Sequence, residues 1–408
     1  MIEETVSAVS LCIYMKSNKK NNCSACGTSP VNHSVMYVAS IIETLIIEPL
    51  EILLSHGIDL KQSGWIINNF TKFHFGVLKL FGMVKYSSDI EKACSGRSKL
   101  IWEEAERRGI PMQQVIIWGR PLEHYKAKIN GKWVHFESLP IPAHLEQSAY
   151  AWLDDKFILK NKLRKANIAV PRSKRAFTIA GAKRAFNSIE KPVIVKPVSG
   201  SRGRHTTTNI KTLSELVSAC KLCRQISPFF VVEEHLVGSV YRATVVGNKL
   251  VGFYRADPPQ VTGDGVHTIE ELVNEKNLAK NERLSDVVIN DDVISYIGRK
   301  GYTPNTILAK GNTIDLTAKT GRMYGGYTRE MLPEVHPKMH EIFEKASHVI
   351  KAPILGFDLI IPDPTNDPDQ QKWGIIECNS LPFIDLHFFA LEGTPRDIAP
   401  YIWDLWKK

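Results

Sequence analysis

The chain has 408 residues, 43% of them hydrophobic and 23% charged, with a net charge of +9. That length predicts two or three folding units, and the composition excludes a disordered, collagen-like or coiled-coil chain. The charge is uneven: 151–225 holds 17 Lys/Arg against 4 Asp/Glu, whereas 226–408 holds 19 against 25. Such a basic segment suits phosphate, either of nucleic acid or of a small polyphosphate with the acidic segment holding a metal opposite.

In chain order, Glu3 and Glu4 stand where a signal peptide is basic, which speaks against one. Residues 1–35 read as an irregular start and 36–110 as helical. The most apolar stretch, 37–54, is broken by Glu43, Glu48 and Glu51, short of the ~18–20 apolar residues of a membrane span. Ser95 caps a helix that ends at Gly109. Residues 115–118 follow as a short buried strand, then a hairpin turning at Asn130-Gly131. Helix is expected over 154–166, strand over 193–196, helix up to 225 and strand over 229–233. A strand pair turning at Gly247-Asn248, helices over 268–277 and 341–350, and strands over 356–361 and 374–377 complete the reading. This is an α+β or α/β chain. Its expected division is a small α/β domain over 1–150 and a larger one over 151–408, the latter split near 168–237 and 238–405.

Seven scattered cysteines (12, 23, 26, 94, 220, 223 and 378) predict a reducing, cytoplasmic setting rather than a disulfide scaffold. The two Cys-x-x-Cys pairs, Cys23/Cys26 and Cys220/Cys223, would have to meet across almost two hundred residues to make a four-cysteine zinc site. The second pair fits one apolar helix face with Leu213, Leu216 and Val217, so no zinc is expected. Cys378 alternates away from its neighbours and reads as core.

Lys196 ends a buried strand and is followed by a Gly/Ser loop over 199–205, where small residues let backbone N–H groups converge on phosphate. At the acidic end, Glu377 and Asn379 lie two apart on a strand and share a face. Asp358 on a neighbouring strand would complete an all-oxygen cluster of the kind that suits Mg²⁺.

These residues, with Lys156 after Asp155 and Glu233-Glu234 at a strand end, resemble the ATP-grasp fold in its usual order. The chain is more closely similar to the ATP-grasp domain of cyanophycin synthetases and bifunctional glutathione synthetases. That likeness rests on Tyr241-Arg242, on 261–272 (Val-Thr-Gly-Asp-Gly-Val-His-Thr-Ile-Glu-Glu-Leu), and on Gly325-Gly326 with Val335-His336-Pro337. It spans about 148 to 405, roughly two-thirds of the chain.

The resemblance implies two α/β subdomains gripping ATP behind a small N-terminal domain that helps form the carboxylate site. Lys156 and Lys196 would contact ATP phosphates, and the loop with Gly200, Ser201 and Gly203 would close over them as a lid. Glu233 and Glu234 would border the adenine. Asp358, Glu377 and Asn379 would bind two Mg²⁺ ions, with Mn²⁺ as a substitute, and Arg242 would face the transferring phosphate or the acyl group. The implied reaction joins a small carboxylate to an amine (an amino acid or peptide) through an acyl phosphate. The alternatives are phosphoryl transfer to a small acceptor and inert ATP binding.

Nucleic acid and membrane partners are not expected, the basic segment lacking interleaved aromatics; a homo-oligomer is compatible. Arg242, Arg255, Arg322, Arg329 and His336 are candidates for an anionic substrate pocket. Val240 stands where relatives carry a ribose-binding acid. Glu330 and Leu332 replace an Asp and a Thr of the family pattern, on the substrate side. The chain ends at Lys408, before the Mur-ligase-like half of cyanophycin synthetase, so that second reaction is not expected.

Overall fold

Asn130 and Gly131 both take positive φ (49° and 77°), the twist that closes a two-residue hairpin. In the computed structural model, which describes residues 23–26, 31–47, 49, 82–145, 153, 156–198 and 203–407, this turn joins Arg120–Ile129 to Lys132–Glu137. Met112–Ile117 and Val84–Ser87 extend the pair into a four-stranded antiparallel meander. Val84–Ser87 corrects the helical reading of 36–110. Four residues are too few to display a period of their own, and pairing with Met112–Ile117 decides their conformation. The helix after Ser95 is Gly96–Arg107; Ser95 Oγ accepts from the Ser98 N–H at 3.2 Å.

Leu100, Ile101 and Trp102 of that helix share one core with Tyr125 and Phe136 of the meander and with Ile398, Ile402 and Trp403 near the C-terminal end. Trp403 is fully buried, and its indole N–H donates to the Ile101 carbonyl at 2.9 Å. Trp403→Ala is therefore expected to cost about 3–5 kcal/mol, lowering the urea midpoint with little change in slope.

Two further antiparallel sheets follow. The first has the order Ser173–Ala176, Phe230–Glu234, Val193–Pro197, Thr207–Ile210. Helices Ile179–Ser188 and Leu213–Cys223 cover one face; Cys220 and Cys223 are buried in that apolar layer, as their spacing predicts. The second runs Thr328–Glu330, Lys249–Ala256, Ser239–Val246, Ile354–Ile361, Gly374–Asn379. Helices Pro337–Ile350 and Lys156–Lys165 pack against it, and Cys378 lies in that core. Every pair of named strands is antiparallel, so among the described residues the chain is α+β.

The 261–272 motif is a strand end followed by a turn and a cap. Asp264 Oδ1 accepts from the N–H groups of Val266 and His267 at 2.8 and 2.9 Å, and Thr268 with Glu271 forms a capping box for Ile269–Ala279. Gly263 is required there, since a Cβ would lie 2.5 Å from the Ala309 carbonyl oxygen. Among the described residues, no helix is long and apolar enough to cross a membrane.

Candidate active site

A cleft of about 190 Å³ opens between the two larger sheets, lined among others by Lys196, Arg204, Glu233, Glu234, Ile376 and Glu377. Strand alternation explains one wall. In Val193–Pro197, Val193 and Val195 are buried in the core, so Lys196 projects to the opposite face. Ile194 is the register partner of Glu233, which brings Glu233 beside Lys196. Lys196 Nζ donates to Glu233 Oε1 at 2.8 Å, and Lys160 donates to Glu233 Oε2.

Lys160 and Glu233 are almost wholly buried (1% and 2% side-chain exposure), so these two charges exist only because they satisfy each other. Burial alone would raise the Glu233 carboxyl, but Lys160 and Lys196 hold it down at about 2. Glu233 is thus a brace between two lysines more than a free acceptor for a base. Lys160 was not among the expected site residues. The signal for it is a lysine set beside the buried Leu159 and Leu163 on an otherwise apolar helix face. Lys156 begins the same helix, with its side chain outside the described residues, as are Gly200 and Ser201. Gly203 has φ 65° and borders the cleft. Glu234 accepts from the Arg172 N–H at 3.2 Å and pairs with Lys372 at 2.7 Å.

The other wall is a row across three neighbouring strands. Asp358 is the register partner of Arg242 on one side and of Glu377 on the other, and Gly356 is the partner of Asn379 in the same way. All four side-chain positions therefore share one sheet face. Arg242 grips Asp358 bidentately, with Nη2 to Oδ2 at 2.8 Å and Nε to Oδ1. Arg242, expected to face the transferring phosphate or the acyl group, is thus held by Asp358. Gly356 leaves the room this needs, since a Cβ there would meet Arg242 at 3.3 Å and Pro382 at 2.6 Å. The donor set of two carboxylates and one amide oxygen suits a hard cation such as Mg²⁺, and Glu377 opens onto the cleft.

The expected arginine pocket does not assemble as a whole. Arg255 pairs in register with Arg329 and with Tyr241, next to the row that holds Arg242, so both arginines face the opposite side of the sheet. There Arg255 meets Asp257 and Arg329 meets Glu334, each at 2.7 Å. His336 caps helix Pro337–Ile350 by accepting from the Lys338 N–H. Arg322 lies over the Phe389 ring. Glu330, expected on the substrate side, is instead buried. It accepts from His387 at 2.6 Å and from the Phe253 N–H at 2.9 Å, while His387 reaches Thr244 at 2.7 Å. The lid expectation for 199–205 also changes at its described end. Arg204 and His205 are buried, and the His205 N–H donates to the Ala25 carbonyl at 3.1 Å.

This arrangement of two antiparallel sheets gripping a cleft has a counterpart among solved structures. The bifunctional glutathione synthetase of Pasteurella multocida superposes with a TM-score of 0.52 over 76% of this chain and 44% of its own, at 22% identity. In sequence, cyanophycin synthetase of Synechocystis sp. is 30% identical over 260 residues, 62% of this chain and 30% of its own. The glutathione biosynthesis bifunctional protein GshAB of Clostridium perfringens is 26% identical over 367 residues, 85% of this chain and 45% of its own. The chain carries the ATP-grasp fold. No family model matches it, and it spans between about a third and a half of the length of these relatives.

Proposed function

We propose that this chain is an ATP-dependent carboxylate–amine ligase that makes an amide bond through an acyl phosphate. The observation that carries the reading is the row Arg242–Asp358–Glu377, with Asn379 two residues along on the same face, whose Glu377 end lines a cleft that Lys196 and Arg204 also line. Similarity to proteins named as cyanophycin and glutathione synthetases supports it.

A carboxylate approaching a polyphosphate is repelled, so cations must line the meeting point. Lys196, held in place by Glu233, and Arg204 would take the phosphates, with Lys156 and the 200–203 loop beside them. Leu236 and Ile360 would offer the base an apolar slot. Asp358, Glu377 and Asn379 would hold the magnesium ions, whose chemistry is to neutralise phosphate oxygens. A second role for Arg242 follows from its grip on Asp358: it orients that carboxylate. The substrate carboxylate oxygen would attack the γ-phosphorus as ADP leaves. The amine would then attack the acyl carbon, expelling inorganic phosphate and giving its proton to solvent.

Residues 151–408 would form the ATP-grasp part. The unit of 1–150 would close the acceptor end, where the start of helix Gly96–Arg107 meets the segment after Asn379. A Cβ at Gly96 would lie 2.9 Å from Asp385, and Arg97 and Arg322 both act on that half-buried carboxylate. Asp385 Oδ1 has no hydrogen-bond partner among the described residues.

Hydroxylamine tests the reading, because it substitutes for the amine and traps an acyl phosphate as a hydroxamate. Incubation with ATP, Mg²⁺ and a panel of amino acids and short peptides should give ADP, phosphate and hydroxamate in equal amounts. Phosphate that stays on the acceptor, with no hydroxamate from any turned-over substrate, would make the protein a phosphotransferase instead.

A further inference from the structure

Cys23, Cys26, His33 and His205 come together although 172 residues separate the third from the fourth. Their ligand atoms, two Sγ and two ring nitrogens, all lie within 4.8 Å of one another. Cys26 Sγ is 3.3 Å from His33 Nε2 and 3.4 Å from His205 Nε2, and Cys23 Sγ is 3.7 Å from His205 Nε2. In a tetrahedral zinc site with Zn–S near 2.3 Å and Zn–N near 2.0–2.1 Å, the sulfur–nitrogen edge is about 3.6 Å. The three separations bracket that edge.

The surroundings prepare the ligands. His205 Nδ1 donates to the Leu222 carbonyl at 2.9 Å, which leaves Nε2 as a lone pair aimed at the two sulfurs. One lone pair serves two thiols poorly and one cation well. The two imidazole rings meet edge to face at 4.8 Å, so their nitrogens converge instead of stacking. The Cys26 N–H closes a turn onto the Cys23 carbonyl at 3.0 Å, and Ala25, between them, accepts from the His205 N–H. Cys26 and His205 are buried.

We infer that Cys23, Cys26, His33 and His205 form a structural zinc site that clamps the N-terminal segment onto the loop leading out of 199–203. Two thiolates and two imidazoles select a borderline-soft tetrahedral ion over Mg²⁺. Four protein ligands leave no open position, so the role is structural. Cys23/Cys26 meets two histidines, while Cys220/Cys223 stays in the core. Gly203, Arg204 and Thr206, which border the cleft, lie on either side of the anchored His205. The clamp thereby fixes one rim of the phosphate loop, a consequence that rests on the nucleotide reading, although the metal site itself does not.

The full chain, purified without chelator from zinc-supplemented medium, should contain about one zinc per molecule by mass spectrometry of the metal. Exchange for Co²⁺ should give the visible bands of a tetrahedral ion with thiolate-to-metal charge transfer in the near ultraviolet. Cys26→Ser and His33→Ala should each lose most of the zinc and the cobalt bands, whereas Cys220→Ala should keep both. Chelation of the wild type should lower its melting temperature and leave that of His33→Ala unmoved. Metal-free protein without cobalt bands, zinc retained by both ligand variants, or a Cys23–Cys26 disulfide in the native chain would each overturn the site. These readouts need no ATP, so they stand or fall apart from the ligase reading.

Discussion

Glu377→Gln is expected to cut hydroxamate formation by roughly 10²–10³-fold, the scale on which removal of one preorganised charge stabiliser acts. The substitution keeps the shape of the side chain. It removes the charge and replaces one oxygen acceptor by a donor, which repels a cation held jointly with Asp358 and Asn379. Glu377 opens onto the cleft and its charge also acts on Arg242, so the loss of ligand-free stability should be small beside the loss of turnover. Asp358→Asn makes the informative contrast. Asp358 is gripped by Arg242, so its variant should lose turnover and stability together. Full activity in Glu377→Gln, or a chain that unfolds, would remove Glu377 from the metal set.

Glu233→Gln should affect folding about as strongly as Trp403→Ala. It strips the shared counter-charge from Lys160, which is buried, and from Lys196. Breaking a buried pair from one side costs about 3–5 kcal/mol, because the remaining charge is left uncompensated. The pH dependence gives the sign independently. The folded carboxyl is depressed from an ordinary 4.5 to about 2, so its contribution is fully present above pH 4.5 and is lost as pH falls toward 2. Urea unfolding at stepped pH should show wild type losing stability through this window more steeply than Glu233→Gln. Parallel curves for the two proteins would mean that Glu233 is not ionised against the lysines.

What the amino-acid order determined by itself is whatever depends on near neighbours. The hairpin at Asn130-Gly131, the strand pair at Gly247-Asn248, the cap at Ser95 and the Asp264–Glu271 turn are set within a few residues, because positive φ and capping are local properties. The shared face of Glu377 and Asn379 follows from the two-residue period of a strand, and the core places of Cys220, Cys223 and Cys378 from apolar patterning.

Sheet order and register decided the rest. The partner of Glu233 lies 73 residues before it, Arg242 and Asp358 are 116 apart, and Cys26 and His205 are 179 apart. No period in the chain announces such meetings, which made Arg242 a carboxylate's partner and an expected substrate-side acid, Glu330, a buried acceptor. One register step also sent Arg255 and Arg329 to the far face of the sheet that carries the acidic row. A side chain's type limits the chemistry it can do, but its partner is chosen by where antiparallel pairing sets it down.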